Sequence, residues 1–120
     1  MTTMKKALDV PIDDNTSRAL HAFVLRVGSE FDLSASILFG SRARHHHRPD
    51  SDADLAVLLR GEHGARFEVA LRLADIAFDV MLETGILIEA IPLWEDEWTD
   101  PGRFSNPALL ENIRREGVLL

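Results

Sequence analysis

"SASILFGSRARHHHRPDSDADLAVLL", residues 34 to 59, sets two apolar runs on either side of a charged hinge. The first run, "SASILF" at 34 to 39, is short and is stopped by Gly40-Ser41, which reads as a buried strand. The second, "DADLAVLLRG" at 52 to 61, alternates at its start and ends at Gly61, and reads as another strand. Between them stand Arg42, Arg44, Arg48 and three consecutive histidines, with no acidic residue from 40 to 49; Asp50, Asp52 and Asp54 follow at once.

Alternate side chains of a strand share a face, so Asp52 and Asp54 point the same way, ~6.6 Å apart at ~3.3 Å per residue. Leu55, Val57 and Leu59 take the other face. Two like charges held together raise each other's pKa, and a bound divalent cation removes that cost. Oxygen ligands in a chain without cysteine suit Mg²⁺ or Mn²⁺, which complete their shells with water and substrate phosphates. Gly40-Ser41 follows a strand, so its backbone N–H groups can face such a phosphate, with Arg42, Arg44 and Arg48 beside it. Each part also has a plainer reading. Gly-Ser after a strand is usually a turn, and the P-loop pattern is absent. Asp-x-Asp also occurs on solvated strand edges. The combination is far more specific than its parts. His45, His46 and His47 point in different directions on a turn and cannot all ligate one ion, so they read as an exposed loop near the phosphates. Asp50 lies just outside the pair and reads as a turn cap.

Outward from this stretch, Leu20, Phe23, Val24, Val27 and Phe31 form a helical stripe over 15 to 31, capped by Asp14 or Asn15. Residues 65 to 84 read as a second helix and "GILIEAIPL", 85 to 93, as a third strand. "WEDEWTDPGRF" is an acidic, turn-rich connection, which Trp94 and Trp98 clamp onto the core. A last helix over 107 to 116 has Asn106 as its N-cap, Pro107 in its first position and Gly117 after it. The order αββαβα predicts an α/β (α+β) fold, a small mixed sheet flanked by helices, in one domain over 1 to 120. The second helix has two apolar stripes. Phe67, Ala70, Leu71, Ala74, Phe78, Met81 and Leu82 are expected on the sheet. Part of the Val69, Leu73, Ile76, Val80 stripe is expected to be exposed and covered by a homodimer or a helical partner; the plainer alternative is that the first helix packs there.

Composition narrows the function. With 46% hydrophobic and 28% charged residues the chain reads as an ordinary globular protein, and with no cysteine nothing argues for an oxidising compartment. "MTTMKKALDV" is no signal peptide and no run approaches the ~18 apolar residues of a membrane span, so a cytoplasmic location is expected. The net charge of -7 argues against broad binding to nucleic acid or anionic lipid.

"GSRARHHHRPDSDADLAV", with Gly-Ser, a ten-residue spacer and Asp-x-Asp on the next strand, resembles the signature of the DNA polymerase beta type nucleotidyltransferase superfamily. In arrangement the chain is most similar to the minimal nucleotidyltransferases. That resemblance implies two divalent metals and transfer of a nucleoside monophosphate from a nucleoside triphosphate, most simply ATP, to a hydroxyl. Gly40 and Ser41 would hold the triphosphate, Asp52 and Asp54 the metals. The third carboxylate sits on the next strand, where only Glu89 interrupts the apolar run 86 to 93. The family more often has aspartate there, and glycine in place of His45. Bacterial members resembling this chain are often paired with a HEPN-domain toxin, whose tyrosine the transferase nucleotidylates as antitoxin. The alternative is an inactive antitoxin that neutralises its partner by binding alone; aminoglycoside nucleotidylation is a weaker third reading, because those enzymes carry extra substrate-binding structure.

Overall fold

The computed structural model describes residues 4–44, 48 and 51–120. Its elements are β1 (Lys5–Lys6), α1 (Asp14–Glu30), β2 (Leu33–Phe39), β3 (Ala53–Leu59), α2 (Arg66–Thr84), β4 (Ile88–Trp94), α3 (Glu95–Thr99), α4 (Pro107–Glu116) and β5 (Val118–Leu119). They form a mixed α/β structure with one five-stranded sheet in the order β1-β5-β2-β3-β4. β2 and β3 run antiparallel, while β3 and β4 run parallel, as a crossover through a helix requires. Among the described residues no helix is long and apolar enough to cross a membrane.

Helices cover both faces of the sheet, which is why β3 reads "LAVLL" without alternation after Asp54. Leu55, Val57 and Leu59 pack with Phe23 and Val27 of α1 and Leu73, Ile76 and Val80 of α2. Ala56 and Leu58 face the other way, against Leu110 and Ile113 of α4 and Phe104.

The chain ends its helices by local means. Asp13 caps α1, its carboxylate accepting from the Thr16 backbone N–H at 3.1 Å and from its hydroxyl at 2.7 Å, so the cap stands one residue ahead of the expected Asp14 or Asn15. α2 stops at Gly85, whose φ of 79° is left-handed. α4 spans 107 to 116 as expected, with the Asn106 side chain accepting from Leu109 N–H at 3.3 Å. Gly117 has an ordinary φ of -68°, so its reason is space: a Cβ there would lie 2.3 Å from the Ile113 carbonyl and 2.5 Å from Ile37 Cγ2.

Three expectations change. The two-residue strands β5, on the open edge of β2, and β1, outside β5, were not anticipated. The acidic connection contains α3, while its tryptophans do hold it down: Trp94 is buried in the core, and Trp98 lies 3.9 Å beneath the Arg114 guanidinium. The faces of α2 are reversed. Leu73, Ile76 and Val80 are core, whereas Phe67, Leu71, Phe78 and Leu82 are exposed. α1 and the sheet both lie on the Leu73–Ile76–Val80 side, so that stripe is filled from within the chain.

Candidate active site

Asp52 stands one residue before β3, Asp54 is that strand's second residue, and Glu89 is the second residue of β4. In the parallel register Asp54 is paired with Glu89. Ala56 and Leu58, then Ile91 and Leu93, continue these same faces into the core against α4. The carboxylates sit at the strands' starting end, ahead of that apolar cover. Asp54 is half-buried, and Asp52 and Glu89 are exposed.

Burial is the main cause that holds the Asp54 carboxyl above the ordinary carboxylate range; the charges of Glu89 and Asp52 and a hydrogen bond with Glu89 add to it, and Arg44 opposes. An all-oxygen set that repels itself fits a hard divalent cation. Among the described residues no group of three His, Cys, Asp or Glu side chains is gathered to hold an ion by itself. Mg²⁺ suits such a site, since it takes one or two carboxylates and fills its shell with water and phosphate oxygens.

Gly40 ties the turn to the carboxylates. Its φ is 74°, and a Cβ there would lie 2.3 Å from Asp54 Oδ2, so the residue must be glycine on both counts. The turn then tightens, with the Arg44 N–H donating to the Ser41 carbonyl at 3.2 Å. Ser41 is half-buried at its start.

The three arginines expected beside a phosphate part company. Arg42 is buried, with 3% exposure: Nε and Nη2 donate to the Ser51 carbonyl at 3.0 and 2.6 Å, and Nη1 donates to Thr16 Oγ1 at 2.9 Å. Its guanidinium fastens the turn to the start of α1 and to the approach to β3, which removes it from the expected phosphate contacts. Arg44 is exposed, donates to Glu116 at 2.8 Å and acts on Asp54 through its charge, so it borders the carboxylates. Arg48 is exposed, and its N–H donates to Ser51 Oγ at 3.1 Å. His45, His46, His47 and Asp50 lie outside the described residues.

Beside the carboxylates a cavity is lined by Asp52, Glu89, Ala74, Ala77, Leu87 and Ala90, which gives the carboxylate end of the sheet an apolar flank formed by α2 and β4. Reading the sequence did not find Thr16 or Ser51, the partners of Arg42. Thr16 carried a signal, because it stands at the third position from a capping aspartate. Ser51 acts through its backbone carbonyl, which side-chain chemistry does not announce.

No match to the chain was found among curated proteins. A crystal structure from Sulfolobus solfataricus, of a protein described as a nucleotidyltransferase, is similar at 20% identity and a TM-score of 0.48, with 89% of this chain and 86% of that chain covered. The family described as "Polymerase beta, Nucleotidyltransferase" matches residues 27–92, a span that holds β2, the Gly40-Ser41 turn, Asp52, Asp54 and Glu89. The chain belongs to the polymerase beta nucleotidyltransferase family.

Proposed function

We propose that the chain transfers a nucleoside monophosphate, AMP from ATP, to a hydroxyl, using Asp52, Asp54 and Glu89 as the carboxylates and the Gly40-Ser41 turn as the seat of the triphosphate. The observation that carries this reading is the closeness of Gly40 to Asp54, which sets the Gly40-Ser41 turn against the carboxylate with the raised pKa. Asp52, Asp54 and Glu89 would hold Mg²⁺ or Mn²⁺, two ions in the family. Such ions, when bound, activate the attacking oxygen and stabilise the leaving pyrophosphate.

The chain's own groups account for the rest. The turn's N–H groups orient the phosphates, with Arg44 and Arg48 adding positive charge at the rim. Glu89, in register with Asp54 and exposed to solvent, would accept the proton of an incoming hydroxyl. Arg42 acts at one remove by holding the turn and the entry to β3 together.

The acceptor in this reading is a protein, the tyrosine of a HEPN-domain toxin for which the chain serves as antitoxin. Resemblance to the paired bacterial members supports it. The test is transfer of labelled AMP from ATP, with Mg²⁺, to a HEPN protein encoded beside this chain. Label on a partner tyrosine that disappears with Asp54→Asn supports the reading. Neutralisation of the partner with no label incorporated would assign the chain to binding alone.

A further inference from the structure

The four large apolar side chains of α2 left outside the core lie on one face of the helix. Phe67, Leu71, Phe78 and Leu82 are 75%, 54%, 53% and 69% exposed. At about 200 Å² for a fully exposed large apolar side chain, they present on the order of 500 Å², the size of a functional patch rather than of scattered surface residues. Two such patches remove about 1,000 Å² of apolar surface, and flanking residues bring the pair past the ~1,000 Å² that a specific interface needs.

The spacing says what covers the patch. Phe67 and Leu82 stand equally far, on opposite sides, from the step between Ala74 and Asp75; so do Leu71 and Phe78. In two antiparallel helices related by a two-fold axis, residues equally distant from that axis lie at the same level. An axis at this step sets each phenylalanine opposite a leucine of the other copy, and the small Ala74 at the centre lets the helices approach. We infer that the chain forms a two-fold dimer through the exposed face of α2, with Phe67 against the partner's Leu82 and Leu71 against the partner's Phe78.

Glu68, Arg72, Asp75, Asp79 and Glu83 run along one side of this face, Arg72 paired with Glu30 and Glu83 with Arg26, and each chain carries a net charge of -7. Repulsion therefore opposes an association driven by apolar burial, and added salt strengthens the dimer by screening it. Ala74 also lines the cavity that holds Asp52 and Glu89, so the second copy borders the outer wall of that cavity.

Sedimentation velocity on the full chain tests the dimer with neither nucleotide nor metal present, which separates its failure from a failure of the transferase reading. At about 100 µM, a hundredfold above a micromolar Kd, the protein should sediment as a dimer, more completely as salt rises. Leu71→Ser with Phe78→Ser should sediment as a monomer with unchanged circular dichroism, and Phe67→Ser with Leu82→Ser should weaken the dimer at least tenfold. The chain has no cysteine, so introduced thiols report the register. Leu71→Cys mixed with Phe78→Cys should oxidise to a mixed dimer faster than either does alone. A monomeric wild-type chain, a dimer untouched by both double variants, or equal cross-linking in all mixtures overturns the inference.

Discussion

A methyl group added at residue 40 would meet two obstacles at once, a left-handed backbone and the Asp54 carboxylate. Gly40→Ala should therefore lower nucleotidyl transfer by 10²-fold or more, on the order expected when placement of the reacting groups is lost. Strain alone should cost about 1 kcal/mol of stability, so a folded but inactive variant is the expected result of combining thermal melting with the transfer assay. Asp54 makes the opposite stability argument. Its ionised form is disfavoured by burial and by Glu89 and Asp52, so the folded chain bears a cost that the unfolded chain lacks. In metal-free buffer above the carboxylate range Asp54→Asn should melt above wild type while losing transfer, and a lower melting temperature would show that the carboxylate is satisfied as it stands. Charge alone did not reveal the role of Arg42. An arginine next to Gly-Ser reads as a phosphate ligand until the burial of its guanidinium against Thr16 and Ser51 is seen.

Elements bounded by glycine, proline or a capping side chain were legible before the structure. β2 ends at Gly40, α2 at Gly85, and α4 lies between Asn106 and Gly117. The pairing of a third-strand Glu with Asp54 was legible too, because the period of a strand is short and the apolar run around Glu89 has no other charge. Two-residue strands such as β1 and β5 have no periodicity to read; β5 pairs where β2 leaves an open edge, and β1 pairs with β5 in turn. Nor could α2 declare its inner face. Its apolar residues wrap most of the helix and leave only the wall from Glu68 to Glu83 polar, so the choice between stripes falls to α1 and the sheet. Gly117 terminates α4 as expected and acts as a spacer besides, which separates two outcomes. Gly117→Ala demands no unusual φ, yet its Cβ would press on the Ile113 carbonyl and Ile37. It should destabilise by about 1–3 kcal/mol, as overpacking does, and shift the urea midpoint accordingly. A neutral result would mean that α4 can slide away from β2.

Across the whole molecule the charge balance sets what can approach. With a net charge of -7 and the exposed Arg44 and Arg48 at one hinge, the chain can meet a small anion locally while repelling a long polyanion. Anisotropy of a labelled random DNA duplex should stay flat at ~0.15 M salt, where screening still leaves a Debye length of about 8 Å; saturable binding would place a basic surface outside the hinge. The contact between Gly40 and Asp54 has a consequence for redesign. The turn belongs to β2 and the carboxylate to β3, yet neither can be exchanged alone, because any replacement loop must present a backbone with no side chain where Oδ2 already stands. Grafting a different nucleotide preference onto this scaffold therefore means transplanting the hairpin from β2 to β3 as a single cassette, with Arg42, Thr16 and Ser51 kept as its anchor points.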